Sequence, residues 1–138
     1  MTKLALGSFV VLGLSSFLGS CGVEEQTKVS SVELVSFDDL DCYSGGTAYE
    51  LIDKGLSEAL EFYGEPITEV LLNLNNATLH EFRAPLINLR QEIDPAIEYP
   101  MREITWGQGD CRLTVWAHTP SDSWAIYDAF FYDKEVEF

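Results

Sequence analysis

Between Cys111 and His118 the chain alternates strictly. Cys111, Leu113, Val115 and Ala117 fall on one side, and Arg112, Thr114, Trp116 and His118 on the other. Successive side chains of a strand point to opposite faces, so this period specifies a β-strand with one apolar face. Other segments read the same way. Residues 67–74 (ITEVLLNL) are β-rich and end in the turn pair Asn75-Asn76, residues 102–106 (REITW) alternate, and residues 124–132 (WAIYDAFFY) are aromatic and strand-like. Residues 78–82 (TLHEF) are the expected hairpin partner of 67–74. Residues 32–37 (VELVSF) fit either a short strand or a linker. Turns are expected at Gly107-Gln108-Gly109-Asp110 and at Thr119-Pro120-Ser121-Asp122.

The strong helical signal is confined to residues 47–64. Thr47 and Glu50 have the spacing of a capping box, with Leu51 and Ile52 in the first apolar turn. Ser57 is placed to cap a second short helix over 58–63, whose apolar face is Ala59, Leu60 and Tyr63. Gly64 is placed to end it, and Pro66 prevents its resumption. One kinked helix over 48–63 is the alternative. Residues 84–101 contain Pro85, Pro95 and Pro100 and read as a loop, with at most a helical turn at 86–90. The expected fold is α+β in two layers, with two short N-terminal helices packed on a small antiparallel β-meander.

Residues 1–20 read as an address. Lys3 precedes an uncharged apolar run at 4–18, which as a helix would rise roughly 22 Å, short of a hydrocarbon core of roughly 30 Å. That is a signal-peptide pattern. The run ends in Leu18-Gly19-Ser20-Cys21, which resembles the lipobox of bacterial lipoproteins. The resemblance implies cleavage between Ser20 and Cys21, with Cys21 carrying the lipid. Several acyl chains, at roughly 0.8 kcal/mol per buried CH₂, make a stable anchor. Gly22 stands where an Asp commonly retains such proteins at the inner membrane, so the resemblance implies release to the outer membrane. Residues 21–31 are then the lipidated Cys and a polar tether, and 32–138 a single α+β domain.

The chain carries 23 Asp and Glu against 8 Lys and Arg, a net charge of −15. Loss of residues 1–20 removes Lys3 and no acid, which makes it −16. Phosphate binding needs clustered cations, so nucleic acid is excluded as a partner, as is electrostatic docking on anionic lipid. The acids at Asp38-Asp39-Leu40-Asp41 lack the Gly and distal Glu of a calcium loop and read as a solvated turn. No metal or cofactor is expected. With Cys21 lipidated, Cys42 and Cys111 remain. An oxidising compartment favours a disulfide between them, the alternative being two buried thiols.

The block Gly55-Leu56-Ser57 to Gly64-Glu65-Pro66, followed by Trp106-Gly107 and the alternating strand from Cys111, resembles the SmpA/OmlA (BamE-like) family of small outer-membrane lipoproteins. That family carries Gly-Met-Thr or a variant, a short amphipathic helix, Gly-x-Pro, an aromatic strand and a final hairpin. The resemblance spans residues 47–133 and is most specific at 47–66. It implies a helix-plus-sheet domain, an architecture shared with β-lactamase-inhibitor-like domains. Three departures stand out: Leu56 replaces Met, two cysteines are added, and a long insert lies around 75–101.

No GxSxG, HExxH or Cys/His signature is present, so the chain is not expected to be an enzyme. The expected function is non-catalytic protein binding or scaffolding at the outer membrane, lipid-anchored and facing the periplasm, with an envelope protein as partner. Trp116 and His118, on the side opposite Leu113 and Val115, are the candidate contact residues. The alternative is a periplasmic ligand- or cation-binding, inhibitor-like lipoprotein.

Overall fold

A computed structural model describes residues 33–137. The expected signal peptide at 1–20 with its cleavage site at Ser20, and the lipidated Cys21 with its tether, lie outside the described residues. The strands are β1 (Gly46–Thr47), β2 (Thr68–Asn73), β3 (Pro100–Gln108), β4 (Cys111–His118) and β5 (Ala125–Asp133). They form one antiparallel sheet in the order β1-β5-β4-β3-β2. Helix α1 is Leu56–Tyr63. A 3-10 segment, Glu81–Leu86, runs on into α2, Ile87–Glu92.

Alternation along the strands divides the sheet into two faces. One buries Ile104, Trp106, Leu113, Val115, Ile126 and Ala129 against Leu56 and Ala59 of α1 and against Leu34, Ala48 and Leu51. Trp106 also pins the end of α1, because its indole N–H donates to the carbonyl of Gly64 at 2.8 Å. Gly64 holds φ at +80°, where a side chain would be strained, and so lets the chain leave α1 for β2. The other face buries Met101 and Trp116 beneath Leu74, Leu79, Leu86 and Leu89.

The two-layer expectation is therefore corrected. The sheet has five strands rather than a small meander, and the helices are not both N-terminal. The capping box at Thr47 does not nucleate a helix. Gly46 and Thr47 instead pair with Phe131 and Phe130, and only a 3-10 turn, Tyr49–Leu51, follows. The reason lies in the edge of β5. Ala48, Asp53 and Leu56 donate their N–H groups to the carbonyls of Ala129, Ile126 and Trp124, and Ile126 donates back to Lys54. A helix over this stretch would leave those groups on β5 unpaired, a larger loss than one capping interaction.

The second helical run lies between β2 and β3 and covers the opposite face from α1. Pro85 sits within its 3-10 portion, where the missing N–H disrupts less than in an α-helix interior. Residues 78–82 are not a hairpin partner for β2. That partner is β3, with Thr68 opposite Thr105 and Asn73 opposite Pro100. The described part of 32–37 forms no strand, and a 3-10 turn, Phe37–Asp39, follows.

Cys42 and Cys111 are bonded, with Cα atoms 5.4 Å apart and 69 positions apart in sequence. The bond ties the turn before β1 to the first residue of β4. Loop closure of that span restricts the unfolded chain by about 4 kcal/mol in the entropic model. Replacing Cys42 and Cys111 together by Ser is expected to lower stability by about 3–4 kcal/mol. Urea unfolding of the oxidised wild type against the double variant measures this, and reductant is expected to bring the two midpoints together.

Candidate functional site

Trp116 is not on an open face. It is 0% exposed. Its register partner on β3 is Glu103, and the indole N–H donates to Glu103 Oε2 at 2.7 Å. The same carboxylate accepts Arg83 Nε at 2.7 Å and Arg83 Nη2 at 2.8 Å. Phe82, the neighbour of Arg83, lies 5.1 Å from the Trp116 ring between centroids. A fork of Arg N–H groups matches a carboxylate in two places, so this contact fixes orientation as well as charge. The hydrogen bonds to Glu103 hold the Arg83 guanidinium protonated more firmly than usual, against the cost of burial, and the Glu103 charge adds to this. Trp116, Glu103 and Arg83 thus form the seam that closes the 3-10 segment onto the sheet.

His118 ends β4 opposite Ala125. A bulge between Trp116 and Ala117 leaves Tyr127 without a register partner on β4, and Tyr127 meets the imidazole edge-on at 5.3 Å. Tyr99 Oη lies 2.8 Å from His118 Nδ1 in a hydrogen bond. Burial lowers the His118 pKa, and the charge of Asp53 opposes this. Burial also raises both tyrosines, with Glu92, Asp128 and Tyr99 adding to the rise at Tyr127. The phenols therefore keep their protons and the imidazole is neutral near pH 7. The cluster knits the approach to β3 onto β4 and β5. Within it, Tyr99 Oη and His118 Nδ1 bond to each other.

The cations are mostly engaged within the chain. Among the described residues, five of the six Lys and Arg side chains are held internally. Arg83, Arg102 and Lys134 pair with Glu103, Glu69 and Asp110, while Arg90 and Arg112 donate to the carbonyls of Ala77 and Gly109. No group of three or more His, Cys, Asp or Glu among the described residues is placed to hold a metal ion. No helix among them is long and apolar enough to cross a membrane.

The two sheet edges differ. Residues 46–56 cover the edge formed by β5, as described above. The edge formed by β2 is open among the described residues. Its apolar side chains face solvent, Ile67 at 54%, Val70 at 42% and Leu71 at 71% exposure. Gly107 on β3 helps place them, since a Cβ there would collide with Ile67 Cδ1. Leu74 donates to Tyr99 at 2.9 Å, which continues the β2–β3 register. Alternate residues of an antiparallel strand bond to the same neighbour. Thr68, Val70 and Leu72 therefore bond inward to β3, and the N–H and C=O of Glu69 and Leu71 project from the free edge. Sequence reading placed this strand but not its exposure. The Val70-Leu71-Leu72 run puts apolar groups on both faces, which in sequence reads the same as a strand covered on both sides.

No family model, no curated protein and no solved structure matches the chain.

Arg83→Ala is expected to leave the Glu103 charge buried without its partner and to destabilise the domain by about 3 kcal/mol, with Arg83→Lys recovering only part. Urea midpoints measure both. His118 gives a pH signature. Its folded pKa lies below its unfolded value, so the unfolded chain binds the proton more readily, and stability falls as pH drops below about 6.5. The advantage of wild type over His118→Gln is expected to be full above that pH and to shrink below it. Thermal unfolding of both proteins from neutral to mildly acidic pH measures the difference.

Proposed function

We propose that this chain is an envelope lipoprotein, anchored to the outer membrane through Cys21 and facing the periplasm, whose domain acts by non-catalytic contact with another envelope protein. The observation that carries the binding role is the open, apolar edge of β2. Soluble domains usually blunt such an edge with Lys, Pro, a bulge or a covering segment, because an uncovered strand templates further pairing. Here β5 is covered by residues 46–56, while β2 keeps Val70 and Leu71 in solvent. The lipobox at Leu18-Gly19-Ser20-Cys21 supports the anchor, and Gly22 supports the outer membrane. The resemblance of residues 47–66 to SmpA/OmlA lipoproteins supports a role within an assembly rather than in catalysis.

The contact surface differs from the one expected from alternation. Trp116 has no exposed area to offer and serves the interior, and His118 is engaged with Tyr99 and Tyr127. The binding surface moves to β2.

Full-length protein purified from gently solubilised native envelope is expected to bring down a specific envelope protein, identified by mass spectrometry. Cys21→Ala is expected to leave the membrane fraction and to recover less of it. Recovery of no protein above the control overturns the binding role, and unchanged membrane association of Cys21→Ala overturns the anchor.

A further inference from the structure

We infer that the β2 edge takes a basic, extended segment of a partner protein as a sixth, antiparallel or parallel strand of the sheet; this rests on the binding role proposed above. The backbone supplies the first reason. Glu69 and Leu71 present N–H and C=O groups outward in strand geometry, and an extended peptide satisfies both. A helix cannot, since its own backbone groups are already paired.

The side chains supply the second. Val70 shares a face with Glu103, and Leu71 shares the other with Arg102. An added strand of alternating side chains would therefore find an apolar neighbour on either face. At the far end of β2, Leu71, Leu72, Asn73, Pro100 and Glu98 line a shallow cavity. A Lys or Arg stem laid on Leu71 would bring its charge to Glu98, the arrangement long cationic side chains favour.

Charge supplies the third. Glu65 precedes β2 and Glu98 lies by its end, and neither has an ion pair among the described residues. On the edge itself Glu69 and Arg102 offset each other, so the charges left unpaired along it are those two acids. A second copy of this chain brings the same net charge of −15 and the same acids to the contact, and is disfavoured for that reason. A basic strand reverses the sign of that interaction.

The test uses the full-length protein in detergent micelles with its disulfide intact, and peptides of alternating Val and Lys, alternating Val and Glu, and Val and Lys with a central Pro. The readout is amide hydrogen exchange and amide chemical shift by NMR. The Val/Lys peptide is expected to protect the Glu69 and Leu71 amides, to bind about tenfold tighter than the Val/Glu peptide, and to weaken with salt. The Pro-containing peptide is expected to fail. Leu71→Pro removes an outward N–H and no bond to β3, so it is expected to abolish binding while the spectrum elsewhere stays folded. Should Leu71→Pro unfold the sheet, Leu71→Lys, which blunts the edge and repels the basic peptide, serves instead.

The inference is overturned by any of four results. These are no protection at millimolar peptide, equal affinity for the Val/Glu peptide, protection confined to residues outside β2, or protection of Glu69 and Leu71 already present in the free protein, as a self-paired dimer would give. Capture of the same envelope partner by wild type and Leu71→Pro would sink the edge inference and leave the binding role standing. Capture by neither would remove both.

Discussion

The carboxylate of Glu103 decides how the second face of the sheet is closed. It sits on the face of the sheet that α1 does not cover, with β2 and β4 on either side of its strand. A lone carboxylate buried there would be costly. Its oxygens instead gather a guanidinium from the 3-10 segment and an indole from the neighbouring strand. Hydrophobic burial by Leu86 and Leu89 supplies the larger driving force for closure, but it is not directional. The Arg83 fork is, and it fixes where the segment lies over Met101 and Trp116. Without Arg83 the same apolar residues could settle in several registers. With it, one register leaves no buried charge unpaired.

That closure shapes the surface. Once residues 74–99 cover one face and α1 the other, few large apolar groups remain in solvent, and several of those that do lie along β2 and beside it. The edges are treated unequally by the same backbone rule. On the β5 side every outward carbonyl named above finds a donor in residues 46–56. On the β2 side the chain goes directly from Gly64 and Pro66 into the strand, and nothing in the described residues returns to cover it. The disulfide reinforces this asymmetry, because it ties the turn before β1 to β4 and so holds the covering segment in place, with no counterpart at β2.

The strands were legible because their signal is local. Period-two alternation in β4, and the β-rich runs that became β2, β3 and β5, need no knowledge of the rest of the chain. What was not legible is what covers each face and each edge. Trp116 alternates with Val115 in the same way whether its face meets solvent or Phe82, so the sequence of β4 alone cannot separate the two. The Thr47 capping box failed for a related reason. A capping bond is worth about 1 kcal/mol, and it lost to several hydrogen bonds with β5, a strand nearly eighty residues away in sequence. Residues 84–101 read as loop because prolines dominate the local pattern. Yet Leu86 and Leu89 have helical spacing, and Arg83 and Glu103 could not be paired without knowing that the segment folds back.

An acidic surface and an open strand belong together in physical terms. An exposed apolar edge invites pairing with any strand, beginning with the same edge of another copy. Lysine on the strand would suppress this, but β2 carries none. The suppression falls instead to the whole-molecule charge of −15 and to Glu65 and Glu98 at the two ends of the strand. Like charges facing each other across a new strand pair destabilise it, whereas opposite charges add to it. The one charge on the strand itself, Glu69, is paired with Arg102, so the unpaired acids lie at the ends and the backbone of Glu69 and Leu71 is left to pair. The same acids that disfavour self-association therefore set a sign requirement on any strand that binds, and selectivity comes from the field around the edge more than from the edge itself.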